Sequence, residues 1–288
     1  MLNIVIVGGG ATGVEIAGAL SEMKKFVLPK DYPEMDKNEL QIYLIEAVDR
    51  LLPGMDKHSS ENAEKYLRQM GVNVLLNQKV TDYRDNNVIL ANGDKIPTRS
   101  FIWVSGITGV PVGNLNPSAL GNGGRIQVDE LNRVKGLDNV FAIGDQCIQT
   151  TDPKFSNGHP QMAQVAIQQG ELLAKNLQYI VAGEKTEAFR YKDLGSMATV
   201  GRNKAVAELP GMKLKGSFAW LIWLFVHLRS ILGIRNKIIV FLNWLWNYCT
   251  YDYTLRLIIY AQKAKVITDR DVREARTHWG EDVLGKEQ

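Results

Sequence analysis

Residues 3–7, Asn-Ile-Val-Ile-Val, run without a break into Gly8-Gly9-Gly10-Ala11-Thr12-Gly13. A continuous β-branched run is the pattern of a parallel strand buried on both faces. Apolar residues at helical spacing succeed it over residues 11–26. The glycines therefore stand at G-x-G-x-x-G spacing on a strand-to-helix turn. A Cβ there would keep the backbone from a pyrophosphate at the helix N-terminus, where free N–H groups point outward. A tight turn alone needs some of the same glycines, so the loop gains meaning from what surrounds it.

A second strand, 41–45, ends on Glu46; a helix over 59–70 is stopped by Gly71, and a third strand spans 72–76. Strand, helix, strand, helix, strand is the mononucleotide-binding half of a doubly wound α/β fold. From residue 79 to 96 the runs shorten and alternate, broken at Asp85-Asn86-Asn87 and Ala91-Asn92-Gly93-Asp94. Those breaks are hairpin signals and predict a small antiparallel meander inserted before the next strand, 101–104. Residues 106–124 are rich in Gly, Pro and Asn and read as a boundary. Beyond it come an extended stretch at 125–128, a strand at 139–143, a helix from after Pro160 to about Val181, and short strands at 196–200 and 205–209. This reading divides the chain into a Rossmann-like nucleotide domain over 1–110, a second unit over 111–190, and C-terminal strands and helices over 191–288.

Glu46 ends the second strand, where an acid accepts hydrogen bonds from adenine ribose hydroxyls and repels a 2′-phosphate. That favours NADH over NADPH. Glu46 lies 33 residues after Gly13, against about 20 in the general fingerprint. A longer helix and a loop over 28–38, carrying Pro29 and Pro33, accommodate the excess. An ordinary strand-end glutamate is the competing reading. Glu15, placed in the first helical turn, has the plain role of complementing the helix dipole.

Several classes fall to composition. With 45% apolar residues and 23% charged, the chain is an ordinary packed protein rather than a disordered or fibrous one. A net charge of +3 is too balanced for binding nucleic acid by phosphate neutralisation. Two cysteines, Cys147 and Cys249, exclude a disulfide framework, a cysteine-type zinc site and a C-x-x-C redox pair, and no metal site is expected. They fit a reducing compartment. The N-terminus lacks the basic and long apolar regions of a signal peptide.

Taken together, GGGATGVEIAGAL, FIWVSGITGVPV, NVFAIGDQ and GHPQMAQVAIQQGELLAKNL with the aromatic tail after them resemble type II NADH dehydrogenases. These are single-subunit, non-proton-pumping NADH:quinone oxidoreductases. The resemblance implies FAD and NADH as cofactors, and hydride passed from NADH to flavin and electrons on to a membrane quinone. It implies that Gly8, Gly10, Thr12, Gly13 and Glu46 hold NADH, and that Ser105 and Gly106, after Trp103, pass close to nicotinamide and flavin. Gly144 and Asp145 look like the second flavin motif, Asp145 facing the ribityl chain, with Ala163 at the start of a helix beside the ring. Glu15 is implied near the nicotinamide, and Gln164 and Gln168 at the quinone. Those two glutamines share a helix face as i and i+4, and a neutral amide pair suits quinone carbonyls in an apolar pocket. Glutamine is also common on exposed helix faces, and Trp103 reads equally as a buried structural residue. The family's chains open with another G-x-G-x-x-G unit for the FAD pyrophosphate, and this sequence begins inside the NADH part. The second unit, 111–190, is thus expected to be the latter half of a flavin domain, with Met1 an internal methionine, the start of a truncated gene or the end of a cut fragment.

The tail has its own signal. Four of the six tryptophans, Trp220, Trp223, Trp244 and Trp246, are crowded together, and no acid occurs between Leu209 and Tyr251. Lys213, Lys215, Arg229, Arg235 and Lys237 lie in the same stretch. The apolar runs 217–228 and 238–248 are too short for the roughly 20 residues of a spanning helix. Short, basic, Trp-rich amphipathic helices lie in the bilayer interface, so residues 212–250 are expected to anchor the chain there. A buried helix pair is the alternative. The resemblance implies the same anchoring, with the cytoplasmic face of the inner (plasma) membrane as location and a second copy of the chain as a further partner. Two other functions compete. A soluble flavin-dependent disulfide reductase would end in a soluble dimerisation domain, and a catalytically incomplete, membrane-associated fragment would bind NADH alone.

Overall fold

The computed structural model describes residues 2–250. The part of the expected C-terminal unit at 251–288 lies outside the described residues.

Strands β1 (Leu2–Val7), β2 (Leu40–Ile45), β3 (Val72–Leu75) and β7 (Ser100–Trp103) form one parallel sheet in the order β3-β2-β1-β7. Val5, Ile6, Ile42, Leu44 and Ile45 are wholly buried, as expected of strands covered on both faces. The chain leaves β1 to β2 on one side, while β7 pairs on the other. That reversal at β1 is the topological switch point, outside whose carboxyl ends ligands bind in such sheets.

Helix α1 (Ala11–Glu22) returns from β1 and continues through a π-helical turn, Met23–Val27, into the short α2 (Leu28–Asp31). These segments and the 3₁₀ turn Lys37–Glu39 fill the long interval before β2. Helix α3 (Lys57–Gln69) begins on Asp56, whose carboxylate accepts from the His58 N–H at 2.9 Å, and ends before Gly71, at φ +84°. The meander forms as expected from β4 (Val80–Arg84), β5 (Asn87–Leu90) and β6 (Lys95–Pro97), all antiparallel.

Two expectations change. Residues 139–143 do not form a strand; only an isolated bridge joins Arg133 and Phe141. Backbone bonds on one side reach residues 132–134 (Val134 N–H to Val140, Ala142 N–H to Asn132), while Val140 and Ile143 stay exposed. Hydrophobicity alone does not make a strand without neighbours to pair with. Here the parallel pairing is instead β8 (Ile126–Val128) with β9 (Cys147–Gln149). In addition, the C-terminal sheet has a third strand: β10 (Ser196–Gly201), β11 (Lys204–Leu209) and the unforeseen β12 (Met212–Lys215).

That sheet shares a core with the nucleotide fold, since Ala198, Val200 and Val206 pack with Ile6, Val14, Leu44 and Leu67. Gly18 makes the approach possible. A Cβ there would stand 1.7 Å from the Val200 carbonyl oxygen, so α1 and β10 meet backbone to backbone. Helix α4 (Ala163–Ala182) ends on Gly183 in the left-handed conformation. Helices α5 (Gly216–Ser230) and α6 (Ile234–Thr250) close the described chain, and no helix among the described residues is long and apolar enough to cross a membrane.

Candidate functional site

The glycine loop shows three glycines doing three different things. At Gly8 (φ +115°) a Cβ would stand 2.6 Å from the Val104 carbonyl oxygen, and at Gly13 it would stand 1.8 Å from that of Gly8. The first glycine thus packs the turn against the end of β7, and the last lets α1 sit on β1. At Gly10 a Cβ would meet nothing within 4 Å. Only that position faces open space, which is the division of labour a dinucleotide loop needs. Gly10 is the N-cap of α1, with no side-chain cap and no acid in the first turn. The helix N–H groups at Ala11 and the exposed Thr12 therefore keep their partial positive charge directed outward.

Glu46 belongs to this loop. Its carboxylate accepts from the Gly9 N–H and from the Val48 N–H at 3.1 Å, while the Gly9 carbonyl is held by the Leu52 N–H at 2.7 Å. Each carboxylate oxygen has a second lone pair to offer. The ends of β1, β2 and β7 thus bring Gly8, Gly10, Thr12, Gly13, Glu46, Ser105 and Gly106 to one edge of the sheet. Trp103 is 56% exposed, so the reading of it as a buried structural residue does not hold.

A second group adjoins the first through Gln146. Its amide accepts from the Val110 N–H at 2.9 Å and donates to the Val110 carbonyl at 2.7 Å. This ties the loop after β7 to the 3₁₀ turn Gly144–Gln146. Asp145 is exposed on that turn, and Gly144 (φ +68°) lies against Ala166 of α4. Ala163 is exposed at the first position of α4, whose N-cap, Met162, offers no side-chain hydrogen bond.

Gln164 and Gln168 face a neighbouring backbone segment. Gln164 donates to the Gly195 carbonyl at 3.0 Å and accepts from the Leu194 N–H at 3.3 Å. Gln168 pairs in the same way with Lys192, at 3.0 Å in both directions. Asn176, two turns on, does so with Glu187 at 2.8 and 2.9 Å. One amide stripe along α4 thus satisfies the extended segment 187–195 as a strand would, a task the i, i+4 spacing did not reveal.

Glu15 falls in the second turn of α1 rather than the first, so the dipole role does not apply to it. Its carboxylate accepts from the Thr199 N–H at 3.4 Å. Burial pushes it above the usual carboxylate range, while that N–H and His227 of α5 pull the other way. Sequence reading missed Gln146 and Gln169. Val165, Gln169, Leu172 and Asn176 recur at helical spacing, and the polar residues interrupting that apolar series were the available signal.

The sequence model of the pyridine nucleotide-disulphide oxidoreductases matches residues 2–170, and that of the NDH2 C-terminal domain matches residues 194–250. The type II NADH:quinone oxidoreductase Ndh of Mycobacterium tuberculosis is 32% identical over 85% of this chain and 54% of its own length. An internal alternative NAD(P)H-ubiquinone oxidoreductase A1 of Arabidopsis thaliana mitochondria is 34% identical over 85% and 52%. The chain spans about half the length of the curated relatives it matches. In fold it is similar to NDH2 from Plasmodium falciparum in complex with NADH, with a TM-score of 0.78 at 21% identity, covering 90% of this chain and 67% of that one. With the C-terminal match set beside the glycine loop and the Asp145 turn, the chain belongs to the pyridine nucleotide-disulphide oxidoreductase family, in its type II NADH dehydrogenase branch.

Proposed function

We propose that the chain works as a non-proton-pumping NADH:quinone oxidoreductase, taking reducing equivalents from NADH through FAD to a membrane quinone. The observation that carries this reading is the open cradle at Gly10 with Glu46 beside it, joined through Gln146 to the exposed Asp145 turn. The cradle fits a dinucleotide. The N–H groups at the start of α1 hold the pyrophosphate, and the spare lone pairs of Glu46 accept from the ribose hydroxyls. A 2′-phosphate would meet that carboxylate, so NADH is the preferred form. Thr12, Ser105 and Gly106 border the path toward the nicotinamide.

The Asp145 turn and the uncapped start of α4 fit one side of a flavin. Asp145 accepts from ribityl hydroxyls, while the N–H at Ala163 directs positive potential at the ring. Bound FAD supplies the two-electron exchange chemistry, and the protein supplies binding, orientation and exclusion of water. Gln164 and Gln168 each keep a second amide N–H to offer a quinone carbonyl while holding residues 192–195. Glu15, its carboxyl raised by burial, is suited to hold a proton near the nicotinamide.

Residues 212–250 dock on the bilayer surface. Phe218, Leu221 and Phe225 of α5, with Leu232, Ile234 and Ile238 after them, are more than half exposed, and the charges among them are all basic. Such a surface suits anionic lipid. The site then faces the cytoplasmic side of the inner membrane, with a second copy of the chain as a further partner. Titration with NADH and NADPH, followed by quinone reduction in vesicles with FAD added, tests the reading. Equal affinity for both nucleotides with no quinone-dependent NADH oxidation would refute it.

A further inference from the structure

We propose that Gln169 is a positioning residue for flavin: its side-chain carbonyl sets the Gly144–Gln146 turn so that Asp145 faces the ribityl chain. The proposal rests on the flavin reading above.

Gln169 is 1% exposed, and an amide buried that deeply is costly unless its polar atoms are engaged. Its Oε1 accepts from the Gly144 N–H at 2.7 Å. The Cys147 sulfur lies 3.7 Å from that oxygen and 3.6 Å from Nε2. Burial pushes the Cys147 thiol up, so it keeps the S–H that donates weakly to the same carbonyl oxygen, and the Gly144 N–H remains the closer and stronger donor to it. An apolar residue would satisfy the packing of α4 at this position. What the amide adds is an acceptor for the Gly144 N–H.

The geometry of the turn makes that acceptor matter. Gly144 is left-handed, and a Cβ on it would stand 3.2 Å from Cβ of Ala166, so the turn sits directly on α4. Three glutamines fix it there. Gln169 takes the Gly144 N–H, Gln161 donates to the Asp145 carbonyl at 3.0 Å, and Gln146 grips Val110. The backbone around Asp145 is thereby constrained while its side chain remains exposed. Of the three, only Gln169 is fully buried, so its carbonyl is the acceptor that water is least able to replace.

The test uses the full chain with Gln169→Met, which keeps length and bulk but deletes the acceptor, and Gln169→Glu, which as the neutral acid keeps it. Amide exchange at Gly144, FAD affinity by flavin fluorescence, NADH affinity and thermal melting are measured together. Gln169→Met is expected to speed Gly144 exchange and weaken FAD each by about tenfold, the effect of one net hydrogen bond. NADH affinity stays unchanged, and Gln169→Glu restores both losses. If Gln169→Met does not fold, Gln169→Asn withdraws the carbonyl by one methylene and carries the same expectation. Wild-type exchange at Gly144, or wild-type FAD affinity in a protein where Asp145→Ala weakens it, would overturn the proposal. If Asp145→Ala itself leaves FAD affinity unchanged, the flavin reading has failed and the proposal falls with it.

Discussion

Gly10 and Gly13 belong to one motif, yet the structure assigns them opposite responses to a single added methyl. Gly13→Ala places a Cβ 1.8 Å from the Gly8 carbonyl oxygen, an overlap that no side-chain rotation can relieve because the obstacle is backbone. The cost falls at the upper end of overpacking, about 3 kcal/mol, which lowers Tm by roughly 6–12 °C in a protein of this size. Gly10→Ala adds its Cβ where nothing lies within 4 Å, at φ −70° and ψ −177°, which any L-residue adopts. Its melting temperature should stay at or slightly above the original value, because alanine has less freedom to lose on folding. The methyl does, however, occupy the approach of the pyrophosphate. Losing one hydrogen bond to a charged phosphate oxygen costs about 1.5–3 kcal/mol, or roughly tenfold to a hundredfold in NADH affinity. Calorimetric titration with NADH beside a thermal melt separates the two variants. A folded Gly10→Ala protein with undiminished NADH affinity would refute the placement of pyrophosphate, and an unstable one would refute the open cradle.

Other residues give sharper tests of the remaining chemistry. Glu46→Gln keeps an acceptor for the Gly9 N–H but removes the charge, so NADPH affinity should rise by about tenfold relative to NADH; an unchanged ratio would remove Glu46 from the ribose site. Glu15 has its folded pKa raised, so the folded state binds the extra proton and stability falls as pH rises from the unfolded pKa through the folded one. Glu15→Gln should flatten that slope in urea melts at several pH values, and an unaltered slope would place the titration elsewhere. Phe218→Ser with Phe225→Ser should reduce sedimentation with anionic vesicles more than high salt does, because apolar burial is not screened; full release by salt alone would argue against insertion. Gln164→Ala and Gln168→Ala should slow quinone reduction more than flavin reduction by NADH in stopped flow. Equal slowing would mean that both amides act by holding residues 192–195.

How far the sequence could be read depended on whether the partner of each residue was local. The strands at 3–7, 41–45 and 72–76 and the glycine loop were legible because burial on both faces and the steric demands of a strand-to-helix turn are written within a few residues. The position of Glu46 at a strand end beside the glycine loop was legible for the same reason, whereas its bonds to the Gly9 and Val48 N–H groups were not foreseen. The run at 139–143 was misread because a strand is a property of pairs, and its apolar residues carry no record of what lies alongside. The amides of α4 were harder still. Gln164, Gln168 and Gln169 differ little as residue types, yet two of them bind the segment 192–195 and the third, one position along, reaches into the core to the Gly144 N–H. Helical geometry turns each successive residue by about 100°, so adjacent glutamines serve unrelated neighbours. The resemblance singled out Gln164 and Gln168, but it is the interruption of an otherwise apolar face that marks Gln169. A polar residue at a core position must have a bonding partner, and in this chain that partner lies in the turn that carries Asp145.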